Sequence, residues 1–419
     1  MKAVHMGLPE SLARAPVPPA PKEVLLRLQE QGFQAYLVGG CVRDLVAGRS
    51  PKDYDVATSA KPEQVQAAFK RVIPTGILHG TVTVVVKGVH VEVTTFRVEG
   101  AYVDGRRPTS VQFKEEIQED LSRRDFTINA MAFDPLRSEL VDPFGGQKDL
   151  AARVVRAVGE PKARFSEDGL RCLRAARFAA VLGFEVEPQT QASIRPCLPV
   201  FRKVAKERVR EELSKLVVSD HPRHGLDILI ETGLCEEIAP ELPVEQAKQA
   251  ALRIGKSVSD LGARLAVLFH AVPVEPFRAL LRRLTFPNRV IDEASALVEH
   301  LLPTATSGWT DAQIRRWLAA LGRELWPKAV SVAEAVHGAD FRPFAERVST
   351  VLKSAPPLSA RELALNGHQI MQALGVGPSP HVGRATRFLV DQVLDHPDRN
   401  TAEGISELLK QFRAKEMEK

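Results

Sequence analysis

The strongest strand signal in the chain is a hairpin, and it shows where a sheet can form. Segments rich in β-branched residues, 81–86 and 89–96, lie on either side of Lys87-Gly88, a pair suited to a tight turn. Helical spacing dominates from about residue 115 and fills almost the whole chain after about residue 155. Three further segments are predicted to be short strands: Ala35–Val38, Tyr54–Val56 and Glu139–Val141. The sequence therefore predicts an α+β protein, in which a mixed head precedes an all-α remainder.

Length and composition restrict the class of protein. The 419 residues exceed one ordinary core, so roughly two to four domains are expected. With 44% hydrophobic and 26% charged residues, the composition is that of a soluble globular protein and excludes a disordered or collagen-like one. No apolar run approaches the roughly 18 residues that span a bilayer, and the N-terminus lacks an apolar signal segment. A cytoplasmic protein without a membrane partner is expected.

The cysteines and the net charge give only weak indications of what the protein binds. Cys41, Cys172, Cys197 and Cys235 lie far apart and form no CxxC pair, which disfavours a zinc site and a disulfide framework. The net charge of +5 favours a polyanionic partner only mildly.

A pair of acids follows a Gly-Gly turn at short distance. Asp53 and Asp55 come twelve residues after Gly39-Gly40, and on a strand their side chains would share one face. Two carboxylates on one face repel unless a cation lies between them, and Mg²⁺ prefers such oxygen ligands. Glu92, flanked by valines in the hairpin, offers a third acid. The alternative is that the pair caps a turn at the surface.

The same region suits a nucleoside triphosphate. Backbone N–H groups of Gly39 and Gly40 could approach the phosphates, and Arg43 lies one turn into the next helix. Two metals could then activate a 3′-hydroxyl and hold the leaving pyrophosphate. The order GG, DxD and a later strand acid resembles the signature of the DNA polymerase β-type nucleotidyltransferase superfamily. That resemblance implies a polymerase β-like head of about five strands.

A basic ridge is predicted on one helix over residues 164–183, with Ser166 as its N-cap. An Asp acceptor beside an Arg donor, as in Asp168 and Arg171, matches the Watson–Crick edges of cytosine and adenine, whereas guanine and uracil present a carbonyl to the Asp. The alternative is a solvated row of salt bridges. The ridge consists of four residues spaced by three, with the last two left for triphosphate: Asp168, Arg171, Arg174 and Arg177.

The chain also resembles the class II tRNA nucleotidyltransferases, the CCA-adding family, densely from about residue 33 to residue 240 and more thinly beyond. The EDxxRxxRxxRF pattern of that family matches residues 167–178. Other matching segments follow in order: YLVGGCVRD (36–44), KDYDV (52–56), LHGTVTVV (78–85), VEVTTF (91–96), GRRP (105–108), EDLSRRDFTINAMAFD (119–134) and VDPFGGQKDL (141–150).

The resemblance implies template-independent addition of CCA to the 3′ end of tRNA from CTP and ATP, with Mg²⁺ as cofactor. It implies that Asp53 and Asp55 are the metal ligands and catalytic acids, beside Glu92, and that Asp125 connects head and neck. It implies nucleotide binding by Gly40, Arg43, Arg124, Asp168, Arg171, Arg174 and Arg177.

The resemblance also implies a division of the chain, with the acceptor stem and T arm of tRNA held by the helical parts. The expected parts are a lead-in and first helix (1–32), the nucleotidyltransferase head (33–155), a nucleotide-selecting neck (156–225), a helical body with a degenerate HD-like region (226–354) and a tRNA-binding tail (355–419). In the body, His270 is followed by alanine where HD phosphohydrolases have aspartate.

Several alternatives remain open from the sequence. An enzyme that adds only the terminal A would keep the same motifs. The resemblance disfavours a poly(A) polymerase, because such relatives usually carry a basic, aromatic stretch where this chain has TGILHGTV (75–82). It also disfavours a strict CC-adding enzyme, because those relatives lack a mobile loop of the kind predicted here over residues 97–110. A non-catalytic RNA-binding protein and a small-molecule nucleotidyltransferase are weaker rivals. The oligomeric state is not predicted.

Overall fold

A computed structural model of the chain describes residues 8–77, 80–99 and 111–417. Its strands are β1 Ala35–Val38, β2 Asp55–Thr58, β3 Val72–Gly76, β4 Thr81–Val86, β5 Val89–Thr95, β6 Arg97–Glu99, β7 Val111–Phe113, β8 Ala132–Asp134, β9 Glu139–Val141, β10 Val154–Val155 and β11 Glu185–Val186.

The α-helices of the first half are α1 Glu10–Ala13, α2 Pro19–Glu30, α3 Gly40–Val46, α4 Pro62–Ala68, α5 Ile117–Ser122, α6 Gly146–Ala151, α7 Pro161–Glu167, α8 Leu170–Leu182, α9 Pro188–Ala192, α10 Leu198–Phe201, α11 Lys206–Val217, α12 Pro222–Thr232 and α13 Leu234–Ile238. Those of the second half are α14 Val244–Ala251, α15 Leu261–Phe269, α16 Val274–Arg283, α17 Asn288–Glu299, α18 Asp311–Leu321, α19 Trp326–His337, α20 Arg342–Lys353, α21 Gly367–Leu374, α22 Pro380–Asp395 and α23 Ala402–Met417.

The main sheet contains seven strands in the order β3-β4-β5-β2-β1-β8-β9, two more than the sequence suggested. Only the β2–β5 pair is parallel among these neighbours. The predicted hairpin is confirmed as β4 and β5, and its turn residues Lys87 and Gly88 both have positive φ, as a tight two-residue turn requires. The α+β prediction is confirmed.

Both faces of the sheet are covered by apolar side chains. On one face, α2 and α3 pack against valines of β2, β4 and β5. On the other face, Tyr36 and Phe96 join side chains of α5 and β8. The acids Asp55 and Glu92 of the central strands β2 and β5 are exposed, although the strand residues beside them are buried.

Three local predictions are wrong in detail. Asp53 lies in a bend before β2 and not on the strand, which begins at Asp55. The segment predicted as loop over 97–110 starts with β6, which pairs with β7, while residues 100–110 of that loop lie outside the described residues. The single helix predicted over 164–183 is two helices, α7 and α8, and Ser166 lies inside α7 instead of capping a helix.

The chain divides into two compact units between Val244 and Glu245. The first unit holds the sheet and helices α1 to α13. The second is helical, and its last part, from Leu363 to Phe412, has an apolar core of its own. Within that unit Arg316 of α18 forms ion pairs with Asp391 and Asp395 of α22. The finer five-part division remains a prediction.

None of the helices in the described residues is both long and apolar enough for a membrane span.

Candidate functional site

The candidate site is a cavity of about 430 Å³ within the first unit. Its wall is built from the β1–α3 turn, the strands β2, β4 and β5, the segment 123–129 and the helices α8 and α11. Most residues predicted from the sequence to act on the nucleotide line this one cavity: Gly39, Gly40, Arg43, Asp55, Glu92, Arg124, Asp168, Arg171 and Arg174. Asp53 and Arg177 are not among its lining residues.

The Gly-Gly turn brings backbone to the cavity wall. Gly39 has φ 74° and ψ −134°, a conformation that L side chains rarely adopt, and it directly precedes α3. A Cβ at this position would lie 3.1 Å from Nη1 of Arg124. The glycine therefore lets the backbone and the Arg124 guanidinium share one wall of the cavity.

We expect Gly39→Ala to weaken nucleotide binding as well as the fold. Gly39 has positive φ with ψ −134°, outside the left-handed helical region, so an L residue there is strained by about 1–3 kcal/mol. The new methyl also displaces Arg124. Gly48→Ala is the matched control, because Gly48 has φ 70° with no atom within 4 Å of its Cβ position. Both variants should lose thermal stability, and only Gly39→Ala should raise KM for CTP and ATP. A raised KM in both would show that the turn has no special role.

Two acids meet where β2 runs parallel to β5. Asp55 is the register partner of Glu92, and on its other side it pairs with Val38 at the end of β1. Desolvation in the cavity wall and the neighbouring charge of Glu92 raise the pKa of Asp55 to about 6. Arg124 opposes this rise, whereas Asp53 adds to it, so Asp53 is close enough to be felt although it lies before the strand.

These residues fit a divalent cation. Desolvation, and after it the charges of Glu92 and Asp53, raise the pKa of Asp55, and a cation held beside these three acids would favour its ionised form. No cluster of three or more His, Cys, Asp or Glu side chains arranged for a metal occurs within the described part of the chain. Mg²⁺ is commonly held by one or two carboxylates together with substrate phosphates, so the nucleotide would supply the missing oxygens.

Two neighbouring arginines are fixed by one buried acid. Asp120 of α5 accepts hydrogen bonds from Nε and Nη2 of Arg123 at 2.9 and 2.7 Å and from Nη2 of Arg124 at 3.0 Å. Burial alone would raise the pKa of Asp120, but the two guanidinium groups hold it below its ordinary value. Nε of Arg124 is buried and has no hydrogen-bond partner among the described residues. Arg124 therefore keeps a donor for a ligand.

A second buried acid connects the sheet to α8. Asp125 accepts from Nε and Nη2 of Arg174 at 2.8 and 2.6 Å and from Nδ2 of Asn129 at 3.2 Å, and Asn129 accepts from Nη1 of Arg43 at 2.9 Å. Burial would raise the pKa of Asp125, but the charge and hydrogen bonds of Arg174 lower it to about 2. The chain of contacts orients Arg43 and Arg174 towards one cavity.

We expect Asp125→Asn to destabilise the first unit by about 2 kcal/mol at pH 7, from a pKa lowered from 3.8 to about 2. Because the folded-state pKa is depressed, this contribution is complete above pH 3.8 and is lost as the pH falls through about 2. The difference in thermal stability from wild type should therefore shrink by about half at pH 3. Asp227→Asn, which removes an exposed i,i+4 pair with Arg223, is the control and should stay within about 0.5 kcal/mol. A pH-independent difference would contradict the assignment.

The base-reading pair is arranged differently from the helical ridge that was predicted. Asp168 precedes α8, and its Oδ1 accepts the Leu170 N–H at 3.0 Å. Its ion-pair partner is Arg208 of α11, through Nη1 to Oδ1 at 3.2 Å and Nη2 to Oδ2 at 2.7 Å. Arg171 instead binds the Glu167 carboxylate at 2.6 Å and donates to the Arg123 carbonyl at 2.9 Å. Asp168 and Arg171 thus line one cavity without sharing a helix face.

Arg177 lies behind the cavity wall. Its Nε donates to Oε2 of Glu212 at 2.6 Å, and its guanidinium stacks 3.6 Å from the centroid of the Phe178 ring. Arg43 and Arg174 approach the same ring at 5.6 and 5.4 Å. Three guanidinium groups therefore lie near the Phe178 ring. Arg177, which does not line the cavity itself, packs against Phe178, which does.

Sequence reasoning missed several lining residues. Arg208 lies in a basic segment, residues 202–210, in which the sequence alone does not distinguish a site residue from a solvated helix face. Glu212, one helical turn after Arg208, does not line the cavity but forms ion pairs with Arg174 and Arg177. It was not predicted, although an acid four residues after a base on an amphipathic helix is a detectable signal. Arg97, Arg123 and Asn129 also line the cavity. The contacts of these residues join segments far apart in the chain, which local spacing does not reveal.

The sheet is covered on both faces, and its central strands present paired acids to an arginine-rich cavity. This fold and site define the class of protein as a nucleotidyltransferase. The comparison with family models agrees: the Poly A polymerase head domain matches residues 35–156, the RNA and SrmB-binding site of polymerase A matches 183–245, and tRNA nucleotidyltransferase domain 2 matches 260–409.

Curated relatives are similar over nearly the whole chain. The CCA-adding enzyme of Geobacillus stearothermophilus is 38% identical over 388 residues, 91% of this chain and 94% of that protein. The CCA-adding enzyme of Limosilactobacillus fermentum is 38% identical over 381 residues, 89% and 92% of the two chains. The crystal structure of the Bacillus stearothermophilus CCA-adding enzyme in complex with CTP matches with a TM-score of 0.82 and 34% identity, over 96% of this chain and all of that one. The chain belongs to the CCA-adding enzyme family of tRNA nucleotidyltransferases. Enzymes of this kind generally use divalent metal ions.

Proposed function

We propose that this enzyme completes the 3′ end of tRNA by adding C, C and A from CTP and ATP without a nucleic-acid template, releasing pyrophosphate at each step. The observation that carries the proposal is that one cavity holds both the acids suited to the transfer chemistry, Asp55 and Glu92, and the pair suited to read a base, Asp168 and Arg171. The family membership supports it over the other rivals considered above.

Asp55 and Asp53 would hold Mg²⁺, with Glu92 as the third acid of the site. Bound there, the ion would lower the pKa of the tRNA 3′-hydroxyl and neutralise charge on the triphosphate. Among the residues of the chain, Arg124 would bind phosphate oxygens through donors that Asp120 leaves free, and the N–H groups at Gly39 and Gly40 would approach the same phosphates. Arg43 would add a guanidinium oriented by Asn129.

Asp168 and Arg171 would select the base. An acceptor on Asp168 receives the exocyclic amino group of cytosine or adenine, and the neighbouring ring nitrogen accepts from Arg171. A carbonyl in place of the amino group would face the carboxylate and be rejected, which excludes UTP and GTP. Arg174 and Arg177 would contribute positive charge from the same helix, the second through Phe178 and the cavity wall.

The helical second unit would hold the acceptor stem and T arm of tRNA, mainly through backbone phosphates and shape. The match of residues 260–409 to a tRNA nucleotidyltransferase domain supports this role.

We assign the enzyme to the cytoplasm, since its four cysteines are free and buried and need no oxidising compartment.

The test is extension of three tRNA transcripts, ending before CCA, after C and after CC, each with CTP, ATP or both. We expect every transcript to be extended to a single CCA end when both nucleotides are present. Addition of one A to the CC-ended transcript alone would make the enzyme an A-adding one. Long A tails would overturn the proposal in favour of poly(A) polymerase.

A further inference from the structure

Two threonine hydroxyls line the cavity beside the paired acids. Thr81 of β4 is the register partner of Thr94 of β5, and their Oγ1 atoms lie 3.1 Å apart, within hydrogen-bond distance. Glu92 lies two residues before Thr94 on β5, so the two side chains share a sheet face at a spacing of about 7 Å along the strand. The hydroxyl pair is therefore adjacent to the acids suited to the transfer chemistry.

The hydrogen bond within this pair leaves both a donor and acceptors for a ligand. Each hydroxyl has one donor hydrogen and two acceptor lone pairs, and the mutual hydrogen bond uses one hydrogen and one lone pair. Outside that bond the pair keeps one hydrogen and three lone pairs. A ligand group that both donates and accepts matches this set, and the 2′-hydroxyl of a ribose is such a group.

An aromatic ring lies at the rim of the same cavity. Phe113 of β7 is 39% exposed, and its register partner on β6, Arg97, lines the cavity. Gly80, directly before Thr81, has φ 75°, and a Cβ there would lie 2.8 Å from Cε1 of Phe113. The ring therefore lies against bare backbone next to the hydroxyl pair. Nucleobases of every kind can stack on an exposed ring, because each of them has a π-face.

The strand order places the hydroxyls on one side of the acids and the phosphate-facing turn on the other. Along β4-β5-β2-β1, the hydroxyls belong to β4 and β5, the acids Asp55 and Glu92 to β2 and β5, and the Gly39-Gly40 turn follows β1. In-line displacement puts the attacking oxygen and the leaving pyrophosphate on opposite sides of the phosphorus. Since the triphosphate is proposed to lie at the turn, the β4 side remains for the RNA that is extended.

We propose that Thr81, Thr94 and Phe113 bind the last nucleotide of the tRNA before each addition, the hydroxyl pair through its ribose 2′-hydroxyl and the ring through its base. This rests on the proposed addition of C and A to tRNA. Binding at this position brings the 3′-hydroxyl of the same ribose to the acids of β2 and β5. It also selects an RNA end over a DNA end, and because the ring stacks on any base, it serves ends of different sequence.

The first experiment compares CC-ended tRNAs whose last nucleotide carries a ribose or a 2′-deoxyribose, in single-turnover addition of A by wild type, Thr81→Val and Thr94→Val. Valine keeps the β-branched shape of threonine and removes its hydroxyl. We expect the preference for the ribose end to be about 5-fold smaller in each variant, the size of one neutral hydrogen bond. Thr75→Val is the matched control and should keep the wild-type preference, because Thr75 of β3 pairs with Thr83 of β4 at the same 3.1 Å and does not line the cavity.

The second experiment compares an intact CC-ended tRNA with one whose last nucleotide lacks its base. We expect Phe113→Leu to slow addition of A to the intact end by about 10-fold, within the range for stacking of one base. Phe113→Tyr, which keeps the ring, should stay within about twofold of wild type. On the abasic end all three proteins should be equal. Leu136→Ala is the control, since Leu136 is 40% exposed in the β8–β9 turn of the same sheet.

Three results would count against the proposal or its basis. If the threonine variants lose discrimination between ATP and 2′-deoxy-ATP instead of between the two tRNA ends, the hydroxyl pair holds the incoming nucleotide and the proposal is overturned. An unchanged preference for the ribose end in folded Thr81→Val and Thr94→Val also overturns it. If wild type itself adds no A to the ribose-ended tRNA, the proposed function fails instead. Thermal unfolding identifies a variant that does not fold, and the other threonine variant then decides.

Discussion

Replacing Asp55 by asparagine should reduce nucleotide transfer by about 10³-fold or more while leaving tRNA affinity within about twofold of wild type. The asparagine keeps the size of the side chain but removes the charge that the proposed cation needs. The tRNA contacts proposed for the helical second unit do not involve this group, so tRNA affinity should not depend on it. The measurement is single-turnover addition of A to CC-ended tRNA, with filter binding of the same tRNA.

The same variant should not destabilise the protein when divalent ions are absent. The folded-state pKa of Asp55 is about 6, above its ordinary value of 3.8, so the ionised carboxylate opposes folding at neutral pH. Asn removes that opposition, and the melting temperature at pH 7 should stay equal or rise. The gain should disappear as the pH falls below 3.8, where the carboxyl is protonated in both states.

Glu139→Gln is the matched control for Asp55→Asn, because it removes an exposed acid from the edge strand β9 of the same sheet, away from the cavity. Its transfer rate should be that of wild type. Transfer retained in Asp55→Asn would refute the metal-ligand role, whereas lost transfer with a lowered melting temperature would indicate damage to the sheet.

The sequence predicted those parts of the fold whose signals are local. The β4–β5 hairpin needs only alternating β-branched runs and a turn pair, and Ala35–Val38 needs only a short apolar run before a Gly-Gly turn, so both were found at nearly their observed bounds. Asp53 was misplaced because the start of β2 depends on its neighbours: the strand begins at Asp55, where both Val38 and Glu92 pair with it.

The break between α7 and α8 could not be seen in the helical spacing. Gly169 lies so close to α10 that a Cβ there would be 2.6 Å from the backbone nitrogen of Phe201. This tertiary contact, with a residue 32 positions away in sequence, lies at the break, where Asp168 is extended between the end of α7 at Glu167 and the start of α8. Arg208 was missed for the same reason, because its partner is 40 residues distant. The residue types of the site were thus predictable, but the partners that orient them were not.

Asp168, between α7 and α8, is proposed to accept a hydrogen bond from the base, and substitution of this residue tests that role. We expect Asp168→Ala to reduce the preference for CTP and ATP over UTP and GTP by roughly 10- to 100-fold, since a hydrogen bond to a charged group contributes about 1.5–3 kcal/mol. The amino group of the correct base loses its acceptor, and the carbonyl of the wrong base no longer meets a negative charge. Competition between nucleotides on CC-ended and C-ended tRNA measures the ratio.

Asparagine at the same position makes the prediction directional. In Asp168→Asn the side-chain amide offers a donor as well as an acceptor, so it can bind the O4 of uracil or the O6 of guanine. We therefore expect UTP and GTP to be used better by Asp168→Asn than by Asp168→Ala, at equal tRNA affinity. Asp227→Asn, an exposed acid of the same unit, should leave nucleotide choice unchanged. Equal and unaltered preference in both Asp168 variants would mean that the base is read by other residues, and Arg171, which is held by Glu167 in the same cavity wall, would be the first to substitute.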